Sequence, residues 1–407
     1  MITRRQFLAN AAVGTATLLV WPKLTFAATG SDTRFLFVLL RGGLDGLESV
    51  PPYGDPGYQA IRGALALSPS AARPAHRLDN VFALHPSFDY AAQLYAQGQF
   101  MPVVAAAPPY WGRSHFQAQN CVENGTSKPD GAQTGWLNRC IACMPGVDGL
   151  ACAAVMPLTM RGPAKVETWS PPLPTEVNPI LLQRLQPLYA ADARLAAPFA
   201  RAIAQQTDSP VPESGTGMMA KGGSGQKKQG GLPVMMDAAG GFMGKSDGTR
   251  VAFVEDDGWD THANEAAIVT RKIAELDAGL KAFRQSIGPM WQRTVLIVAT
   301  EFGRTAHING TGGTDHGTGG SMFLAGGALR GGHVTGRWPG IGSGELYQNR
   351  DVHATTDFRS VFKGVLATHL GVSALALESR VFPGSAGAAP MENLVDTMRA
   401  EPDRTRA

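Results

Sequence analysis

Arg34-Phe35-Leu36-Phe37-Val38-Leu39-Leu40 is a nearly unbroken apolar run that stops at Arg41-Gly42-Gly43-Leu44-Asp45-Gly46. A strand with one wet face would alternate; a continuous run marks a strand covered on both faces, as in the parallel sheets of α/β proteins. Three further runs share the plan. Phe100 to Ala107 ends in Pro108-Pro109-Tyr110-Trp111-Gly112-Arg113-Ser114-His115, Arg250 to Val254 in Glu255-Asp256-Asp257-Gly258-Trp259-Asp260-Thr261-His262, and Thr294 to Thr300 in Glu301-Phe302-Gly303-Arg304-Thr305. Between the last two, Val269, Ile273, Leu276, Leu280, Phe283 and Ile287 recur every three or four residues and form one apolar helix face. Strand, helix, strand in that order predicts a right-handed parallel crossover. The expected fold is α/β, a mostly parallel central sheet with helices on both faces, as a single domain over 28–390.

In open α/β sheets ligands bind just beyond the carboxyl ends of the strands. All four runs end there in glycine and ionisable groups, so the four loops together predict one site. Asp260 with His262, and Asp315 with His316 in Gly312-Gly313-Thr314-Asp315-His316-Gly317, each put an imidazole beside a carboxylate. That pairing suits a divalent cation, with Zn, Mn, Mg and Ca all compatible. Taken singly, an Asp-Thr-His is a capped turn. Asp45 and Glu301 add carboxylates if their strands are neighbours, and each has a helix-cap or ion-pair reading as well. Arg41, Arg113 and Arg304 sit in three of the loops, where a guanidinium suits phosphate or sulfate oxygens or merely neutralises a carboxylate. Ser114 follows a buried strand and precedes a helical stretch, which makes it a nucleophile candidate and equally an N-cap. His76, His85, His115, His307, His333, His353 and His369 complete the imidazoles; His85 and His369 lie beside apolar segments and read as structural. No Gly-x-x-x-x-Gly-Lys-Ser/Thr loop occurs, which argues against an NTPase.

The chain begins Met1-Ile2-Thr3-Arg4-Arg5-Gln6-Phe7-Leu8, followed by an apolar stretch to Val20 and Thr25-Phe26-Ala27. This is the layout of a twin-arginine secretory signal, too short in its apolar part to span a bilayer. The expected partner during export is the twin-arginine translocase, and the expected location periplasmic or secreted. Residues 1–27 carry Arg4, Arg5 and Lys23 and no acid, so their removal takes the formal charge from +3 to zero. A neutral mature chain lacks the basic excess of a nucleic-acid binder, and no later run has membrane-spanning length. Cys121, Cys140, Cys143 and Cys152 cluster in one region; in an oxidising compartment they read as local disulfides or structural thiols before redox or zinc ligands. Residues 206–231 are rich in Gly, Ser and Lys and predict a loop insertion, and 391–407 a poorly anchored tail.

Phe37-Val38-Leu39-Leu40-Arg41-Gly42-Gly43-Leu44-Asp45-Gly46, Leu84-His85-Pro86, Arg113-Ser114-His115-Phe116-Gln117-Ala118-Gln119, Thr134-Gly135-Trp136-Leu137-Asn138-Arg139, Gly258-Trp259-Asp260-Thr261-His262, Thr300-Glu301-Phe302-Gly303-Arg304 and Gly313-Thr314-Asp315-His316-Gly317, in this order, resemble a family of uncharacterised twin-arginine-exported bacterial proteins. That family is similar to a branch of the alkaline phosphatase and sulfatase superfamily. The resemblance implies two bound metals and a hydroxyl nucleophile. By order, Asp45, Ser114, Asp260 with His262, Glu301 and His316 would take the functional places. Arg41 stands where the superfamily's first aspartate would be, and Phe302 where a histidine would follow the late carboxylate, so one metal site is altered or lost; Asp315 is the candidate to compensate. Two functions follow as expectations: a metal-dependent hydrolase of phosphate or sulfate esters, acting on a small-molecule or glycan ester, or a non-catalytic envelope binding or assembly protein on the same fold.

Overall fold

The computed structural model describes residues 32–67, 74–171, 179–191, 196 and 231–396. The expected twin-arginine signal, the 206–231 insertion apart from Gly231, and the last eleven residues of the tail lie outside the described residues. The strands are β1 (Arg34–Leu40), β2 (His76–Arg77), β3 (Ala83–Leu84), β4 (Phe100–Ala107), β5 (Gly149–Cys152), β6 (Val166–Trp169), β7 (Val251–Asp256), β8 (Thr294–Thr300), β9 (Gly320–Ala325) and β10 (Thr356–Asp357). Eight of them form one sheet in the order β10-β4-β9-β8-β1-β7-β5-β6, and β2 pairs with β3 apart from it. Within the eight-stranded sheet β9 runs antiparallel to β4 and β8, and the other pairs are parallel. The fold is α/β with a mostly parallel central sheet.

The continuous apolar runs have the cause expected of them. β1 is buried along its whole length between β8 and β7. Phe35, Phe37 and Leu39 face one core, where Phe37 lies 5.4 Å from the Trp136 ring and 5.4 Å from that of Phe362. Leu36, Val38 and Leu40 face the other, which is closed by the helices Leu232–Met243 and Glu265–Ile287. In the second of these helices Val269, Ile273, Leu276, Leu280, Phe283 and Ile287 are all buried.

The sheet directs one rim toward chemistry. β1, β4, β7 and β8 all deliver their carboxyl ends to it, and β9, being antiparallel to its neighbours, starts there. Residues 41–45, 108–115, 257–262, 301–305 and 313–319 therefore meet at one edge.

The cysteines depart from a disulfide reading: all four are free thiols. Cys140 and Cys152 are buried on opposite faces of the sheet, in separate cores, so no local bridge joins them. Burial pushes the thiols of Cys121 and Cys152 up to about 12, which keeps them protonated and unreactive. The beginning of the tail is anchored, since Leu394 and Val395 are buried and the Asp396 amide donates to the Ala328 carbonyl at 2.8 Å. Among the described residues no helix is long and apolar enough to cross a membrane.

Candidate metal centre

The loop after β7 is pinned before it is functional. Gly258 takes a positive φ of 89°, and Trp259 then inserts into the core, its indole N–H donating to Asp256 at 2.9 Å. With Trp259 and Thr261 buried, the backbone turns Asp260 and His262 outward on alternate positions. The 313–316 loop docks directly on this segment: the Thr314 amide donates to the Thr261 carbonyl at 3.1 Å. A Cβ on Gly313 would collide with the His262 and Thr261 carbonyls, and one on Gly42 with the Asp260 amide. Both positions need glycine for that close approach.

Three imidazoles converge on one point. His115 Nε2 lies 2.9 Å from His316 Nε2, and His262 Nε2 lies 3.0 Å from the same atom. Asp260 Oδ1 is 3.0 Å from His262 Nε2 and 3.3 Å from His316 Nε2, and Asp260 Oδ2 is 3.4 Å from His115 Nε2. Ligand atoms of His115, Asp260 and His316 all fall within 4.8 Å of one another.

The other ring nitrogen of each histidine fixes its tautomer. His115 Nδ1 faces Glu301 Oε1 at 2.8 Å, His262 Nδ1 faces Asp315 Oδ1 at 3.2 Å, and His316 Nδ1 faces the Arg113 carbonyl at 3.0 Å. Each partner is an acceptor, so each Nδ1 donates and a neutral ring turns a bare Nε2 lone pair inward. Three lone pairs and a carboxylate at these separations repel unless a cation lies among them. Tetrahedral bonds of about 2.0–2.1 Å put donor atoms about 3.3 Å apart, close to what is seen, and a carboxylate or carbonyl behind each metal-bound imidazole is the usual outer arrangement. The residues present therefore fit a divalent metal.

Electrostatics agree. The hydrogen bond that His115 donates to Glu301 raises the His115 pKa, against its burial and with help from the charges of Glu301 and Asp260, so positive charge is favoured here. Burial, then the charge of His115, lowers His316 and keeps its lone pair free. Glu301 is buried and burial opposes its ionisation, yet hydrogen bonds from His115, Gln119 and the Gly42 amide hold it below the ordinary range. The last two are 2.9 and 2.8 Å long. Asp260 likewise stays low because the buried Arg304 pairs with Oδ1 at 2.6 Å, outweighing desolvation.

Asp260, His262 and His316 thus meet as candidate ligands. Glu301 and Asp315 stand one shell out and orient rings. Arg304 is spent on Asp260, Thr314 and the Gly42 carbonyl. Arg113 is spent on the buried Asp351, 2.8 Å from its Nε, and on Gln348; its φ of 55° is unusual for a residue with a side chain and turns its carbonyl to His316. Ser114 is the N-cap of the helix His115–Asn124, and its side chain makes no capping bond. His115, passed over in the sequence as one more imidazole, carries a signal in hindsight: it closes the second strand-end loop. Arg41 binds Glu123, Glu255 and Gln119 and faces carboxylates of its own chain.

Asp45 is absent from the cluster. It caps the short helix Gly46–Ser49 by accepting from the Leu47 and Glu48 amides at 2.7 and 3.0 Å, and its Oδ2 pairs with the fully buried Arg62 at 2.9 Å. Glu48 also reaches Arg62, at 3.3 Å. Glu265 is hydrogen-bonded to Asp45, a contact between carboxyls that requires a shared proton. Burial, then the Asp45 charge, pushes Glu265 up to about 9, and burial foremost pushes Glu48 to about 7. Unfolded glutamate releases its proton near 4.3, so between there and about 9 the folded state holds the extra proton of Glu265, and its contribution falls as pH rises. Glu265→Gln has no such proton to lose. Its stability relative to wild type should grow from about pH 5 to about pH 9, read as denaturant midpoints; a gap that does not change with pH would mean Glu265 is ionised throughout.

Residues 190–381 match a family model described as protein of unknown function (DUF1501). No curated protein matches the sequence. Among solved structures the chain is similar to a magnesium-bound mutant of TAB5 alkaline phosphatase, at 12% identity over 73% of this chain and 92% of that one, with a TM-score of 0.33. It is similar also to the alkaline phosphatase from the Antarctic bacterium TAB5, at 11% identity over 73% and 92% of the two chains and a TM-score of 0.33. A likeness so remote assigns no activity.

Proposed function

We propose that this chain is an exported metal-dependent ester hydrolase whose single centre is built by His115, His262, His316 and Asp260. The observation that carries the reading is the convergence of three Nε2 lone pairs on one carboxylate, each ring locked from behind. Three imidazoles and one carboxylate favour zinc, or another transition metal, over magnesium or calcium, which prefer all-oxygen sites. A divalent cation held there supplies Lewis acidity, activating a nucleophile and polarising a phosphate or sulfate ester oxygen.

The chain's own residues divide the remaining work. Glu301, Asp315 and the Arg113 carbonyl each accept from an Nδ1 and keep the imidazoles aimed. Arg304 fixes the carboxylate of Asp260 and balances its charge. Ser114 directly precedes His115 with a hydroxyl not spent on its helix, which makes it the proposed nucleophile. In a panel of phosphate and sulfate monoesters, activity should be lost on chelation and regained with zinc. Ser114→Ala should lose at least about 100-fold in rate while keeping its metal. Full activity in Ser114→Ala moves the attack to water; absence of any chelator-sensitive hydrolysis in the wild type removes the enzyme and favours a binding protein. Export by the twin-arginine route belongs to the same proposal and rests on Arg4 and Arg5.

A further inference from the structure

Arg113 reaches His316 through its backbone, and that backbone is in an unfavourable state. Its φ of 55° lies in the left-handed region, which residues with a Cβ avoid because that atom crowds the following carbonyl oxygen. The same conformation turns the Arg113 carbonyl to His316 Nδ1 at 3.0 Å. A contact made in a disfavoured conformation needs a restraint from elsewhere in the fold.

The restraint comes from the turn at 347–351. Asp351 Oδ2 accepts from Arg113 Nε at 2.8 Å and pairs with its Nη2 at 2.7 Å. Gln348 Oε1 accepts from the same Nη2 at 2.8 Å, and the guanidinium lies over the Tyr347 ring at 5.8 Å. Asp351 is fixed in its turn. Its side chain is fully buried, its Oδ1 accepts from Arg350 Nη1 at 3.0 Å, and its amide and carbonyl both bond to Tyr347. The turn is tied to the rim as well: the Ala306 amide donates to the Arg350 carbonyl at 2.9 Å, and Arg350 Nη1 donates to the His316 carbonyl at 2.8 Å. Stability alone does not account for this arrangement. Burial pushes the Asp351 carboxyl up against the pull of both guanidinium groups, and a buried ion pair commonly gains little over its desolvation cost. What the pair does supply is geometry, because a planar guanidinium gripped at Nε and Nη2 has one orientation.

We infer that Asp351 is a positioning residue for the centre: by pinning the Arg113 side chain it holds the Arg113 backbone left-handed, which keeps the carbonyl on His316 Nδ1 and the His316 Nε2 aimed at Asp260 and His115. It touches no ligand atom and acts through Arg113. Its effect on metal affinity rests on the proposed centre; its effect on the His316 ring does not, because the ring is held without a metal.

The test compares Asp351→Asn, Arg113→Ala and Arg113→Gly in the mature protein. Both Arg113 variants lose the guanidinium, but glycine takes a positive φ at no steric cost, so only the backbone separates them. In zinc titrations against a chelator, Asp351→Asn should bind about tenfold more weakly than wild type, and Arg113→Ala about tenfold more weakly than Arg113→Gly. Asp351→Asn added to Arg113→Gly should cost no further affinity, since the pin then has nothing to hold; a further tenfold loss there would mean that Asp351 acts through general stability and overturns the assignment. Long-range proton–nitrogen correlation spectra of the metal-free protein at about pH 8, where an imidazole is neutral, read the ring itself. His316 should carry its proton on Nδ1 in wild type and Arg113→Gly, and show a mixture of tautomers in Asp351→Asn and Arg113→Ala. Identical His316 spectra in wild type and Asp351→Asn overturn the inference whether or not zinc binds. Failure of wild type to bind zinc, with the tautomer shift present, removes the metal centre and leaves the positioning role standing.

Discussion

His115→Ala is expected to bind zinc more than about 100-fold more weakly than wild type while remaining folded. Loss of an outer-sphere partner of a metal-bound histidine already costs about 10–100-fold in affinity, and His115 contributes one of the converging Nε2 atoms itself. The fold should tolerate the change, because the ring is half-exposed at the sheet rim and its main partner, Glu301, keeps donors from Gln119 and the Gly42 amide. Glu301→Gln provides the graded comparison. It leaves the ring in place but replaces an anionic acceptor with a neutral one, so a loss within about 10–100-fold is expected. Competition titration against a chromophoric chelator reads both. Equal affinity in wild type and His115→Ala would remove His115 from the centre.

Arg62→Met is expected to destabilise the protein by about 3–5 kcal/mol, the cost typical of removing one partner from a buried ion cluster. Arg62 is the guanidinium that pairs with Asp45 and Glu48, and both carboxylates are buried with it. Methionine fills the volume of the stem and leaves the carboxylates without their counter-charge. The loss should shrink as pH falls below about 7, where Glu48 takes up a proton in the fold. Denaturant unfolding at pH 8 and pH 5.5, a pair about a unit or more either side of that value, measures the difference. A variant as stable as wild type at the higher pH would mean that the cluster carries no net charge to balance.

The fold was legible because strands covered on both faces write themselves as continuous apolar runs. Arg34–Leu40, Phe100–Ala107 and Thr294–Thr300 are strands with those bounds. The run read as Arg250 to Val254 is the strand Val251–Asp256, which continues past its apolar part through Glu255 and Asp256, paired with Leu39 and Leu40. β9 left no comparable trace: Gly320-Ser321-Met322-Phe323-Leu324-Ala325 is short and sits among glycines, yet it is the strand that turns the 313–319 loop toward the rim.

At the site, residue type was readable and rank was not. A carboxylate that coordinates and one that holds the back of an imidazole differ by one ring's width in space and by nothing in sequence, so Glu301 and Asp315 looked the same as Asp260. Asp45 in Gly-Leu-Asp-Gly reads as a ligand because its eventual partner, Arg62, lies in a segment without periodic signal. His115 was masked by Ser114 beside it, since a serine before a helix draws the eye as cap or nucleophile.

X-ray absorption at the zinc edge of the purified, zinc-loaded mature protein tests the central claim most directly. Three imidazole nitrogens and a carboxylate oxygen at about 2.0–2.1 Å are predicted, with the histidine multiple-scattering signal reduced in His115→Ala. A first shell of water oxygens alone, or zinc that dialyses away without leaving a spectrum, would contradict it.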